Sequence, residues 1–158
     1  GTEFLRDLCE VRLAIEPTAA GFAALRATAE EMESIERCLR ESESSAEKAT
    51  IVEVVDLDWS FHTAVVAASH NPLLMQLSAI IRQPFRVALS CTARFRSTAQ
   101  LKLDAHYALV EALQKRDPIA SRRAAEEVVG VAMLAVEKAI RATEKTPRRE
   151  LPGGPFQG

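Results

Sequence analysis

Apolar residues in this chain recur at spacings of three and four from residue 4 to about residue 142. Nowhere do they follow the two-residue alternation of a half-buried strand. That periodicity confines the chain to helices, and glycine is too scarce to argue otherwise: after Gly1 come Gly21 and Gly130, then three in the tail. Leu5, Leu8, Ile15, Ala19 and Phe22 place one amphipathic helix over 4–26. Thr28 and Glu31 follow as a capping box for a second helix ending near Ser42. The polar stretch ESESSAEKAT separates it from a third helix over about 48–69, which SHNP terminates because Asn71-Pro72 cannot continue it. Pro72 opens a fourth helix reaching about Arg94, with Pro84 as a candidate kink. Ser97 or Thr98 caps a fifth ending near Lys115, and Pro118 begins a sixth ending near Ala142. The expectation is an all-α antiparallel bundle of about six helices over residues 1–145, with a disordered Pro/Gly-rich tail over 146–158.

Length and charge set the bounds. At 158 residues the chain suits one domain with one core. Its formal net charge of −2 gives nucleic acid no general attraction. The charge is uneven: residues 1–60 carry 14 acidic and 6 basic side chains, and the remainder 8 and 14. Arg82, Arg86, Arg94, Arg96 and Lys102 follow one another without an intervening acid, either as a solvated face or as a place for a small anion. Cys9, Cys38 and Cys91 are far apart with no CxxC spacing, as expected of thiols in a reducing cytoplasm. No apolar run approaches a membrane span and no leader opens the sequence, so a cytoplasmic location is expected.

The informative residues interrupt the apolar stripes. On the third helix, positions 51, 54, 55, 58, 61, 62, 65 and 69 share a face, and Asp58 and His62 stand among Ile, Val and Phe. His106 sits in the middle of the fifth-helix stripe, and Arg12 is the one charged residue on that of the first. An unpaired buried carboxylate costs several kcal/mol, so Asp58 must be paired, neutralised or bound to a cation. Each intruder has a plain explanation alone: Asp58 with His62, Arg12 with Glu16, His106 as a satisfied core histidine. Together, one carboxylate and two imidazoles make a ligand set for a divalent transition metal, and bundle cores are a usual place for one. Imidazole suits Zn, Ni, Fe or Mn, and a neighbouring arginine would orient a carboxylate ligand. The remaining Glu and Asp residues are expected on polar faces.

Three segments carry a family resemblance. EVRLAIEPTAAGFAALRAT resembles the opening of the ligand-binding domain of FadR-type GntR regulators, with its R-x-x-[IL]-E-P-x-A-A-x-x-A-A pattern. DLDWSFHTAVVAASHNPLL is similar to the D-x-x-F-H segment and S-x-N-P turn of that family, and DAHYALVEALQKRDPIASRRA to its H-x-x-[IL]-x-x-A-[IL]-x-x-x-D segment. The likeness runs from about residue 4 to 140. It implies an all-helical bundle that pairs as a homodimer and binds a small organic acid, often through a metal held by one Asp and three His. It further implies that effector binding alters how a separate N-terminal winged helix-turn-helix grips operator DNA. No such domain lies in this sequence, so operator contact is expected only through a part outside it.

Carried over by position, Asp58, His62 and His106 take the places of the Asp and two of the His, while Val128 stands where the last histidine would fall. Three ligands still hold Zn, Ni or Mn, with open positions for the effector, but less tightly than four. Arg12, Arg86 and Asn71 are assigned to the effector, and His70 to solvent in the S-x-N-P turn. Homodimerisation is expected through the fourth helix, which is apolar over more of its circumference than a lone surface helix should be. Two alternatives stay open. One is a metal-free dimerisation bundle with a satisfied polar core. The other, a metal-dependent hydrolase, has less ground: it needs a general base and a positioning loop, and only short connections are present.

Overall fold

The computed structural model describes residues 2–45, 48–92 and 99–144. Six helices account for nearly all of them: α1 Thr2–Arg26, α2 Ala29–Ser45, α3 Ile51–Ala68, α4 Pro72–Thr92, α5 Ala99–Gln114 and α6 Pro118–Glu144. They form the expected antiparallel bundle, and no strand occurs among the described residues.

The helix ends follow from local chemistry. Thr28 and Glu31 form the expected reciprocal cap at the start of α2 (2.8 and 3.2 Å). α3 begins three residues later than its periodicity suggests, because Thr50 and Glu53 build a second capping box there. Ile51, placed on the buried stripe by spacing, lies in that first turn and is exposed. α2 continues to Ser45, so part of the polar stretch taken for linker is helix. Asn71 Oδ1 accepts from the amides of Leu73 and Leu74, and Asp117 Oδ1 from those of Ile119 and Ala120; each caps a helix whose first residue is proline. α4 runs through Pro84, whose ring removes the bond to the Ile80 carbonyl at a strongly exposed residue, where water can take its place. The caps expected at Ser97 or Thr98 and the tail over 146–158 lie outside the described residues.

α1 packs most extensively on α6, α5 on α6, α2 on α3, and α3 on α4. Small residues permit the close approach of α1 to its neighbours: Ala20, Ala23 and Ala24 are fully buried, and the Arg122 side chain of α6 lies directly over Gly21. The largest apolar cluster joins these alanines to Ile35 and Leu39 of α2, Phe61 and Val65 of α3, Leu109 and Leu113 of α5, and Val128 of α6. A second gathers Leu8, Trp59, Ile81, Phe85 and Ala88 between α1, α3 and α4. Two arginines tie helix ends together: Arg116 donates to the Ala27 carbonyl (2.6 Å) after α1, and Arg26 to that of Ser69 (2.9 Å) after α3.

α4 has two apolar faces. Ile81, Phe85 and Ala88 point inward, while Leu73, Leu77, Ile80 and Val87 form an exposed stripe. Leu113 has no exposed surface and is surrounded by α1, α2 and α6 residues. Leu113→Ala is expected to lower unfolding free energy by about 2–5 kcal/mol, and Thr50→Ala by about 1 kcal/mol. Urea denaturation monitored by circular dichroism measures both; equal effects would contradict this division between core and cap.

Candidate metal centre

Three helices each send two polar side chains, one turn apart, to the same interior point. α1 contributes Arg12 and Glu16, α3 Asp58 and His62, and α5 Lys102 and His106. Five of the six are buried: Arg12 5%, Glu16 8%, Asp58 4%, His62 5% and His106 3% exposed. Lys102 is half-buried. The four residues singled out by sequence therefore do meet, and two more join them.

The hydrogen bonds fix the imidazole tautomers. His106 Nδ1 lies 2.6 Å from the Lys102 carbonyl, so it carries the proton and donates, which leaves Nε2 a bare lone pair. That Nε2 is buried without a hydrogen-bond partner among the described residues, and the nearest oxygen it faces is Asp58 Oδ1 at 3.6 Å. His62 Nδ1 lies 3.0 Å from Glu16 Oε2, and its Nε2 lies 3.3 Å from Arg12 Nη2. Arginine only donates, so His62 too holds its proton on Nδ1 and turns an acceptor inward. Asp58 Oδ2 is 3.7 Å from His62 Nε2, beyond hydrogen-bond reach, so these two do not satisfy each other.

The carboxylates are held ionised. Burial pushes Asp58 upward, but the Lys102 ammonium 2.5 Å from Oδ1 more than reverses this and holds it well below the usual carboxylate range. Burial also opposes ionisation of Glu16, and its two bonds from Arg12 (2.6 and 3.2 Å) and the contact to His62 again prevail. Burial dominates at His106, lowering it from 6.5 to about 3 and keeping it neutral. Aromatic rings wall the cluster. The Phe61 and His106 ring centroids lie 4.8 Å apart, and Phe85 meets His62 edge-to-face at 5.4 Å with the Arg12 guanidinium 4.7 Å from its own ring centre.

One donor atom each from Asp58, His62 and His106 lies within 4.8 Å of the others. Two donors about 2.1 Å from a common ion stand at most about 4.2 Å apart, so closing on a metal needs only a slight movement. The Nε2 of His106 has no hydrogen-bond partner among the described residues and faces ionised Asp58, so its lone pair is open to a cation. The donor set fits a divalent transition metal. Glu16 is then the outer partner that orients His62, and the Lys102 carbonyl does the same for His106.

Other sequence assignments fall elsewhere. Arg86 pairs with Asp56 (3.3 Å) at a half-exposed position of α4, and the Asn71 side chain is spent on capping that helix. Neither is in the cluster. Val128 is buried in the large apolar core. His70 is exposed, as expected, but contacts Glu31 (2.8 Å). Glu16, expected on a polar face or as a partner for Arg12 alone, is a central member. Lys102 appeared only as part of a basic run, although its place one turn before His106 on the same stripe is a signal that would have found it. An open groove between α2 and α3, lined by Ser44, Lys48, Glu53 and Ser60, shares no residue with the cluster.

Residues 7–130 match the FCD domain family model, and the chain belongs to that family, the C-terminal domain of GntR-type regulators. It is 32% identical over 119 residues to the galactonate operon transcriptional repressor of Escherichia coli K12, covering 75% of this chain and 51% of that protein. It is also 32% identical over 129 residues to the putative L-lactate dehydrogenase operon regulatory protein of the same organism, covering 75% and 46%. The chain thus spans about half the length of these curated relatives. Among solved structures, the E. coli protein McbR/YncC has a TM-score of 0.78 at 17% identity, with 89% of this chain and 67% of that one covered. Streptococcus agalactiae GntR has 0.72 at 22%, with 84% and 59% covered. At these identities the structures support the fold alone. No helix among the described residues is long and apolar enough to cross a membrane.

Neutral His106 carries a pH signature. Its folded affinity for a proton is depressed, so the unfolded chain takes up a proton that the folded one refuses. The stability it contributes is complete above about pH 6.5 and is lost as pH falls toward about 3, by about 1.4 kcal/mol per pH unit for one proton. Asp58 and Glu16, also depressed, add losses below their ordinary values of 3.8 and 4.5. Urea titrations of chelator-treated protein between about pH 7 and 4 are expected to show the first slope, and His106→Gln to flatten it. An unchanged slope in the variant would mean that His106 is not the group responsible.

Proposed function

We propose that this domain is the effector-sensing and dimerisation part of a transcription regulator. In this reading Asp58, His62 and His106 hold Zn, Ni or Mn, and a small organic acid docks its carboxylate beside the metal, in the cytoplasm. The observation that carries the proposal is the partnerless Nε2 of His106, buried and aimed at ionised Asp58. Such a group is costly to leave unmade, at about 1–3 kcal/mol, and is tolerated where a ligand completes it. When bound, the metal would supply a Lewis-acidic point to which a carboxylate attaches.

The chain's own residues do the rest. Asp58 provides the charge, and His62 and His106 present neutral nitrogens already turned inward. Glu16 keeps His62 in register. Arg12 is anchored through Glu16 and Phe85, and its Nη2, shared between Glu16 and His62 Nε2, would turn to a carboxylate oxygen once that nitrogen is engaged elsewhere. Phe61 and Phe85 keep water from the cluster, which strengthens each of these interactions. Arg86 and Asn71, assigned to the effector from sequence, lie outside the cluster, so Arg12 is the effector residue retained. Two relatives carry names referring to galactonate and to L-lactate dehydrogenase operons, which supports hydroxy acids as the first effectors to try.

Operator binding would belong to a winged helix-turn-helix outside this sequence. Effector binding would act on it by differential affinity for two helix arrangements. The exposed α4 stripe of Leu73, Leu77, Ile80 and Val87 supports α4 as the homodimer face.

One observation favours a metal-free alternative. Each buried carboxylate already has a cation, Arg12 for Glu16 and Lys102 for Asp58, so the cluster could serve as a satisfied polar core.

Elemental analysis separates the readings. The purified chain is expected to carry about one metal per protomer, and His106→Ala none. Lactate or galactonate at about 100 times its dissociation constant should stabilise the loaded chain by about 2.7 kcal/mol, a shift of several degrees in Tm, and be recovered unchanged. Metal at background level in the unmodified chain would leave the metal-free bundle. For the dimer, Ile80→Glu is expected to shift sedimentation to a monomer; an unchanged dimer would place the interface elsewhere.

A further inference from the structure

Lys102 is the one member of the cluster with a route out. Its ammonium lies 2.5 Å from Asp58 Oδ1, the same oxygen that His106 Nε2 faces. Its side chain is 28% exposed, against 6% for Asp58. Arg12, by contrast, is fixed by two bonds to Glu16 and the Phe85 ring. We propose that Lys102 is an exchangeable internal counter-ion, which holds Asp58 while the metal is away and swings to solvent when a divalent cation takes that oxygen. The inference rests on the metal-ligand reading of Asp58, His62 and His106.

Charge makes exchange necessary. Two carboxylates face one guanidinium and one ammonium, so these fixed charges are balanced as they stand. A divalent ion about 2.1 Å from Oδ1 would sit within a few ångströms of the ammonium in a site walled from water, where like charges repel strongly. One cation must leave, and Lys102 is both the less constrained and the nearer to solvent. Its departure costs His106 nothing, because the bond that sets the imidazole uses the Lys102 backbone carbonyl. The single residue therefore plays two opposed parts: its main chain prepares a ligand, and its side chain competes with the metal. This competition makes the site bind a cation less tightly than the same ligands would without the lysine.

The full chain, stripped with chelator, is titrated with Zn²⁺ alone against a chromophoric competitor. Lys102→Gln keeps the carbonyl and removes the charge, and is expected to bind Zn²⁺ at least roughly tenfold tighter; Lys102→Arg, which keeps the charge, is not. Because Lys102→Gln leaves Asp58 uncompensated until metal arrives, a second measurement uses the unmodified chain. Amine acetylation mapped by mass spectrometry should rise several-fold at Lys102 on adding Zn²⁺, with Lys48 and Lys115 unchanged as internal references. Zn²⁺ binding with equal or weaker affinity in Lys102→Gln, or with unaltered labelling of Lys102, overturns the exchange and leaves the ligand set intact. Failure of both proteins to bind Zn²⁺ overturns the exchange and the metal reading together.

Discussion

Asp58 is a full negative charge inside a helical bundle, and the interior is arranged around making it tolerable. Removing a carboxylate from water costs several kcal/mol even after relaxation, far more than a typical contact returns. A single ion pair with Lys102 offsets this only because the surroundings are dry enough to make that pair strong. The dryness comes from both apolar clusters: Phe61 belongs to the large one, Phe85 to the one between α1, α3 and α4, and the polar group lies between them. Packing and electrostatics are thus one problem here. The alanine-rich face of α1 lets helices approach closely enough that six side chains from three of them can touch.

The same enclosure decides the protonation states. His106 is kept neutral by burial, and His62 is turned by Glu16 and Arg12 so that its lone pair faces inward. Both nitrogens are prepared as acceptors before any ligand arrives. Arg12 meets the His62 acceptor and Lys102 the Asp58 carboxylate, so the charges of the cluster are satisfied within the fold.

Much of this was legible in the sequence, for identifiable reasons. Helix number and order follow from the spacing of apolar residues, the cap at Thr28 from its pairing with Glu31, and the breaks at Asn71-Pro72 and Asp117-Pro118 from turn chemistry. Asp58, His62, His106 and Arg12 stood out because each is a polar residue on a stripe that ought to be apolar. Glu16 and Lys102 were missed for the opposite reason. Each sits at the margin of its stripe, one turn from a residue already noticed, and a charged side chain there is ordinarily solvated. Only the convergence of three helices, a long-range fact, makes those margins interior. Arg86 illustrates the converse error. It lies in a basic run, but α4 turns it toward Asp56, and no local pattern records which way a helix is rotated. Ile51 fits the period and is nonetheless exposed, because the helix has only just begun.

A sensor needs two arrangements of comparable free energy, and a cluster that can satisfy its charges in two ways supplies the basis for them. In the structure the charges are satisfied internally, by Lys102 and Arg12. Under the proposed function they would be satisfied by an ion and an acid from outside. The two sets of partners would pull differently on α1, α3 and α5, because each of these helices carries two members of the cluster one turn apart. α4 feels the change through Phe85, which touches both His62 and Arg12. The opposite face of α4 bears Leu73, Leu77, Ile80 and Val87. A change of partners at Asp58 thus has a short mechanical path, through one phenylalanine and one helix, to the surface where a second copy of the chain is proposed to sit.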